Sequence, residues 1–366
     1  MSYALAWAPQ QKGLILDGCA GPGGWSWGIK HYLGLHDLGI EWDDAAVATR
    51  KAAELATEQA DVSTFDLRPY LGRVWGLLFS PPCTLFSEAG TRIGRLVLDV
   101  LADGIRRVMR GEDCRQEVRE LVFLVALEAQ EKRDAKKPEA KRRDRETLEA
   151  AAREDAFIAC LVLEPARYLW ALLTAPHPEV PFDWAAFEQV PAALPLWQVY
   201  AQEMRRLGWS VWVGVLCAAD YGVPQERYRA VLIASSARKV SAPEPTHSQH
   251  GGGEDLFGGF RAPWPTMADT LGWGFTDRPA PTVTAGGAKS GGVEPFARGA
   301  REALRAAQVR GKNWRWKPGL PQEFTPSSIA IDAVESGLLQ TFPAGYPWAG
   351  PKGKAQEQSG NAVPPL

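Results

Sequence analysis

A chain of 366 residues that is 45% apolar and 23% charged has an ordinary globular composition, with length enough to bury one large core or two smaller ones. Its net charge of -2 argues against a uniformly basic nucleic-acid binder, and without any run of about 18 apolar residues no membrane-spanning segment is expected. The five cysteines are scattered and form no C-x-x-C, which points to a reducing cytosol and away from a disulfide framework or a zinc site.

The first residues, Met1 to Lys12, lack the basic-then-apolar pattern of a secretory signal. Residues 13–17, Gly-Leu-Ile-Leu-Asp, read as a short buried strand ended by a glycine-rich turn, and 25–34 as a helix. Leu35 to Glu41 reads as a second strand. Asp44 to Ala60 is alanine-rich and reads as helical, with Asp43 or Asp44 as its N-cap. Gly72 to Ser80 holds the continuous apolar run Val74 to Phe79, suited to a central parallel strand. Strands alternating with helices imply a doubly wound α/β sheet with helices on both faces.

From Arg92 the texture changes. Residues 95–128 read as helical, and the dense mixed charge of 130–154 reads as an exposed helix or helical hairpin broken near Pro138. Phe157 to Thr174 has apolar residues at helical spacing and is expected to pack on the sheet. Further strands are expected at 182–190, 211–217 and 229–235. After Ser236 regularity falls away: 241–297 is rich in Gly, Pro and Ser, with a short possible strand at Pro281 to Thr284. Within it His247 and His250 lie close together, but in a Gly/Ser loop, and no metal site is expected. The stretch 298–317 interleaves Arg310, Lys312 and Arg315 with Trp314 and Trp316. Residues 329–340 read as helical, and the end of the chain is Gly/Pro-rich.

Two constellations carry chemistry. Asp17-Gly-Cys-Ala-Gly-Pro-Gly-Gly24 closes the first strand; its glycines let the backbone turn tightly and approach a ligand, while the next helix offers free N–H groups to an anion. It is not the dinucleotide pattern G-x-G-x-x-G, because position 26 is Ser26. Asp17, Glu41 and Asp61, at three successive strand ends, outline a nucleoside pocket along one sheet edge, although each singly reads as well as a cap or turn residue. Ser80-Pro81-Pro82-Cys83 follows the fourth apolar strand. The two prolines stiffen the loop, so the Cys83 side chain is presented rigidly. A thiolate there can add to C6 of a pyrimidine and make C5 nucleophilic enough to accept a methyl group.

With these motifs in order, the chain resembles the cytosine-5 DNA methyltransferase family, most of all its phage and actinobacterial members. Asp17 to Gly24 resembles D-L-F-A-G-x-G-G. Pro81-Pro82-Cys83 with Phe86-Ser87 resembles P-P-C-x-x-F-S, and Glu188-Gln189-Val190 resembles E-N-V. Tyr221 to Arg229 resembles Y-G-V-P-Q-x-R-x-R, Arg278 to Thr284 the R-x-P-x-T element, and Gly360 to Pro365 is G-N-A-V-P-P. The resemblance implies a Rossmann-like class I methyltransferase sheet that binds S-adenosyl-L-methionine. It places Asp17, Cys19, Ala20, Gly21, Pro22, Gly24, Glu41, Trp42, Asp61, Val62, Pro82, Asn361, Ala362 and Val363 against that cofactor. Departures are Cys19 for the family's Phe, with Trp25 or Trp27 as substitutes, Gln189 for Asn, Thr84 for Gln, an end at Leu366 where the family often continues a helix, and a charged insert at about 92–156.

The implied roles are Cys83 as nucleophile on a base flipped out of duplex DNA, Glu188 on the N3 and 4-amino edge, and Arg229 at O2. Arg227 orients the loop or contacts phosphate. The base that removes the C5 proton is a water or a side chain. Ser87, Arg92, Gln225, Arg310, Lys312 and Arg315 are expected on the nucleic acid. Residues 1–236 with 329–366 are expected to form the catalytic domain, and 237–328 a small irregular or β-rich target-recognition domain. Within it 243–277 and 298–317 compete for contact, the basic stretch reading as phosphate-binding. The implied partners are duplex DNA and a companion restriction enzyme, with the chain itself a monomer and no metal or membrane involved. RNA of the transfer-RNA type, or an inactive DNA-binding relative, are the alternatives.

Overall fold

The structure is a computed structural model that describes residues 11–87, 92–251, 260–272, 278–285 and 331–366. Seven strands form one sheet: β1 Leu14–Gly18, β2 Asp37–Glu41, β3 Thr57–Gln59, β4 Val74–Phe79, β5 Trp184–Gln189, β6 Ser210–Cys217 and β7 Tyr228–Ser235. Their order is β3-β2-β1-β4-β5-β7-β6. The first five are parallel to their neighbours, and β7 runs antiparallel to both β5 and β6. This is the Rossmann-like arrangement of a class I methyltransferase.

The sheet is covered on both faces, which is why its central strands read as unbroken apolar runs rather than alternating ones. Every residue of β4 is buried. Successive side chains go to opposite faces: Leu16, Leu77 and Phe79 join the large core with the helices α4 Leu98–Val108, α7 Glu164–Leu173 and α8 Leu194–Arg206. Ile15 and Leu78 join the smaller core under α1 Gly24–Leu33. Pattern and packing therefore agree for β1, β2, β4, β5, β6 and β7.

The helix expected over 44–60 is shorter. α2 spans Asp44–Ala52, with the Asp43 carboxylate capping the Ala45 and Ala46 amides. Glu54 then adopts a left-handed φ of 55°, and Thr57–Gln59 leaves to pair with β2. Alanine content is a weak prior, and tertiary pairing of an edge strand overrides it here.

The insert is helical, as its charge pattern implied. After α3 Ile93–Leu96 and α4 come α5 Arg115–Asp134 and α6 Arg145–Cys160, which pack against each other as a hairpin. Its tip is built around buried Asp134, which accepts from the Arg143 amide at 2.8 Å and from Lys137 Nζ at 2.7 Å. Gln130 Nε2 donates to Asp155 Oδ2 across the hairpin at 2.6 Å. The helical run Arg145–Leu173 is long and apolar enough to cross a membrane by length and composition alone, but 67% of its apolar window is buried inside the fold.

Beyond β7 the described residues form two-residue pairings, Ala280–Pro281 with Gln225–Glu226 and Ala262–Pro263 with His247–Ser248, and the short α9 Met267–Leu271. The 298–317 stretch, with Arg310, Lys312 and Arg315, lies outside the described residues. The expected helix near 329–340 is α10 Ala333–Leu339, opened by an Asp332/Glu335 capping box. In the Gly/Pro-rich end of the chain, Lys352–Asn361 forms α11.

Candidate active site

At the carboxyl edge of the parallel strands lies a cavity of about 630 Å³. Its lining runs from the turn after β1 across the ends of β2 and β4 to Glu188 on β5 and Arg227 and Arg229 at the start of β7. That edge, where the chain reverses between β1 and β4, is where open α/β sheets bind ligands.

The glycine turn and the acids meet as follows. Cys19, Ala20, Gly21, Pro22 and Gly24 all line the cavity. Glu41 Oε2 accepts from the Gly21 amide at 2.7 Å, and its Oε1 accepts from the Trp42 and Asp43 amides, each at 2.9 Å. Burial raises the Glu41 pKa, and the three amides oppose it. The carboxylate thus ties two strand ends together while still lining the cavity. Asp61, whose Oδ1 accepts from the Ser63 amide, and buried Val62 form the next wall. Trp42 lines the cavity at 52% exposure.

Asp17 departs from expectation. It is fully buried and is not among the cavity-lining residues. Ser26 Oγ sits between it (3.4 Å) and Asp37 (2.6 Å), and Arg50 lies 3.7 Å from Asp37. Burial first, and then the charge of Asp37, push the Asp17 carboxyl up to about 8, and its Oδ1 has no hydrogen-bond partner. The glycine turn rests on this buried acid; the ligand space lies on the other side. Of the two tryptophans considered in place of the family's Phe, Trp25 lines the cavity. Trp27 instead stacks with His31 and meets Tyr346 edge-on.

The Ser80 to Cys83 loop is pinned from two sides. Trp25 Nε1 donates to Ser80 Oγ at 2.9 Å, and Gln189 Nε2 donates to the Pro81 carbonyl at 2.9 Å and the Pro82 carbonyl at 3.4 Å. Gln189 Oε1 accepts from the Val190 amide at 2.7 Å, so every arm of this fully buried amide is used. The Cys83 carbonyl accepts from the Phe86 and Ser87 amides, closing a turn that leaves the half-buried thiol on the cavity. Glu188 stands opposite Val231 in the β5–β7 ladder, so Arg229, two residues along β7, shares its face. Arg229 Nε lies 2.8 Å from Glu188 Oε1. Burial raises the Cys83 thiol above its ordinary pKa; Arg229 pulls it down most strongly, Glu188 raises it, and Arg227 lowers it.

Two expected nucleic-acid contacts fail on burial. Arg227 is 2% exposed; Nη1 donates to the Gly360 and Val283 carbonyls at 3.2 and 3.3 Å, and Nη2 to Ala362 at 2.9 Å. It cannot reach a phosphate, so the loop-orienting half of its expected role is the one the geometry allows. Burial, then the charge of Arg229, bring its pKa down to about 9. Gln225 has no exposed surface; it accepts from the Val283 amide and donates to the Leu339 carbonyl and Gln340 Oε1. Ser87, whose Oγ donates to the Thr84 carbonyl, and exposed Arg92 lie outside the cavity lining.

The C-terminal segment folds onto this site. A Cβ at Gly24 would collide with the Val363 carbonyl, so only glycine lets the two backbones touch. Asn361, Ala362 and Val363 line the cavity together with Lys354, Glu357 and Gln358 of α11. Those three were not anticipated, although Lys354 and Glu357/Gln358 stand at helical spacing from Asn361 of the G-N-A-V-P-P motif. Glu154, Ile158 and Leu161, from α6 and the turn after it, were also missed. No motif marks them. Among the described residues no group of three or more His, Cys, Asp or Glu side chains could hold a metal ion.

The comparisons agree with this geometry. Residues 192–254 match the family model of the C-5 cytosine-specific DNA methylases. The Type II methyltransferase M1.HphI of Haemophilus parahaemolyticus is 29% identical over 184 residues, 45% of this chain and 47% of that protein; the chain thus spans about half the length of the curated relative it matches. The fold is shared with the Entamoeba histolytica methyltransferase EhMeth (TM-score 0.55, 10% identity, 97% of this chain and 95% of that one). It is shared also with the S. pombe Dnmt2 methyltransferase (TM-score 0.52, 12% identity, 96% and 94%). The chain thus shares the fold of these methyltransferases over nearly its whole length, and residues 192–254 within it carry the match to the C-5 cytosine-specific DNA methylases.

Proposed function

We propose that this protein transfers a methyl group from S-adenosyl-L-methionine to C5 of a cytosine in duplex DNA, through a covalent bond between Cys83 and C6 of a flipped-out base. The observation that carries the reading is that Cys83, Glu188 and Arg229 line the same cavity as the glycine turn, Glu41 and Asp61.

The cavity's chemistry suits such a donor. Glu41 and Asp61 offer acceptors for ribose hydroxyls and an exocyclic amine, Trp42 and Val62 offer flat and apolar walls for a purine, and the start of α1 offers backbone N–H groups to a carboxylate. When bound, the donor supplies an electrophilic methyl carbon on a sulfonium. The protein's residues do the rest. The Cys83 thiolate adds to C6, Glu188 holds the N3 and 4-amino edge and favours a proton on N3, and Arg229 meets the charge that develops at O2. After C5 has taken the methyl group, loss of the C5 proton to a base expels the Cys83 sulfur and restores the ring. Arg227 holds the C-terminal segment against the cavity. In this reading residues 1–236 with 329–366 are the catalytic domain, 92–156 a helical insert, and 237–328 the target-recognition domain.

Cys83→Ser is expected to abolish transfer of labelled methyl to duplex DNA while donor binding survives, and 5-fluorocytosine in the target is expected to trap a covalent complex with the wild type. Full activity of the serine variant would defeat the covalent route. Transfer to transfer RNA and none to DNA would replace the substrate in this reading.

A further inference from the structure

Helix α6 begins inside the insert, yet one of its faces is a wall of the cavity. Glu154, Ile158 and, just past its end, Leu161 stand at i, i+4 and i+7, and all three line the ligand space. Beside them Phe157 stacks on Trp42, with ring centroids 5.6 Å apart and planes 29° from parallel. Behind Phe157 the Arg119 guanidinium of α5 lies 5.0 Å from the ring centroid. Arg119 Nε is buried without a hydrogen-bond partner, so its position serves the ring rather than a polar contact. Phe157 thus contacts both Arg119 and Trp42, and Trp42, at 52% exposure, still presents surface to the cavity. A separation of 5.6 Å leaves no room for a further ring between Phe157 and Trp42, so a bound purine would meet Trp42 away from Phe157. Glu154 is exposed and has no ion-pair partner among the described residues.

We propose that helix α6, which begins in the insert, is part of the donor-binding site: Phe157 is a positioning residue that fixes the plane of Trp42 for a purine ring, and Glu154 is an acceptor for an amine or hydroxyl of the adenosine half. This rests on the donor reading above. A tryptophan ring already stacked on one side loses less freedom when a ligand covers it, which is how preorganisation raises affinity. The hairpin is held rigid by its own polar pairs, so α6 brings both side chains to the cavity at a fixed height.

The test is binding of S-adenosylhomocysteine to the full-length protein by calorimetry, with methyl-transfer kinetics alongside. Phe157→Ala is expected to weaken binding about five- to tenfold, and Phe157→Tyr to restore it. The loss should fall on KM for the donor rather than on kcat. Glu154→Gln, at an exposed position that no core packing depends on, is expected to weaken binding about threefold. Wild-type affinity in both the Phe157→Ala and Glu154→Gln proteins overturns the inference and leaves the donor reading standing. A wild-type protein that binds no S-adenosylhomocysteine overturns the donor reading, and this inference with it.

Discussion

A buried thiol with a raised pKa is a weak nucleophile until a neighbouring charge stabilises its anion, and at Cys83 that charge belongs to Arg229. The same guanidinium is shared with Glu188 at 2.8 Å, so the carboxylate draws off part of the stabilisation it could give the sulfur. In the free protein Cys83 is therefore mostly protonated at neutral pH. A base that occupies Glu188 would release Arg229 toward the reacting ring, coupling substrate entry to activation. The expected signature is an alkylation rate for Cys83, read by mass spectrometry of its peptide with iodoacetamide, that climbs about tenfold per pH unit between about pH 7 and 9. Arg229→Ala should slow it at every pH in that range. A rate that has already levelled off below neutrality would mean a preformed thiolate and would remove the need for Arg229.

At the scale of elements, the loop that carries the thiol depends on a residue that looked like a blemish. Gln189 departs from the asparagine of the family's E-N-V pattern. In the fold it reaches from the end of β5 to the carbonyls of both prolines before Cys83. Gln189→Ala would leave a buried carbonyl unpaired, at a cost of roughly 1–3 kcal/mol. Urea denaturation should show that loss, and methyl transfer should fall in kcat with donor affinity retained. An unchanged kcat would mean that the prolines alone hold the loop. What could be read beforehand follows a physical divide. Strands β1, β2, β4 and β5 were legible because burial makes their sequences distinctive. The end of α2 was not, because its alanines suit a helix and only pairing with β2 decides otherwise. Helix α11 was not anticipated in the Gly/Pro-rich end of the chain, where Gly353 and Gly360 are poor helix formers. Gly360 is there because the 284–285 backbone passes too close for a side chain.

Across the whole molecule, the site's motifs were legible in chain order, but their division of labour was not. Burial separates Gln225, which ties Val283 to the end of α10, and Arg227, which holds the Gly360 and Ala362 carbonyls, from the more exposed Arg229, which pairs with Glu188; one short motif carries all three. Burial likewise separates Asp17 from Glu41 and Asp61. Asp17 and Asp37 share one serine hydroxyl and one arginine under the glycine turn, so the folded chain retains a proton that the unfolded chain gives up. The sign follows from the shift. Asp17 goes from an ordinary 3.8 when unfolded to about 8 when folded. Its contribution to stability is therefore full below about pH 4, falls as pH rises through the interval between the two values, and is flat above about 8. The slope in that interval is on the order of 1 kcal/mol per pH unit. Asp17→Asn carries no such proton, so its stability relative to wild type should improve steadily from about pH 5 to 8 and then stop improving. Urea denaturation of both proteins across that range measures the difference directly, and parallel curves would mean that the pair is ionised in the fold and that Arg50 alone balances both charges.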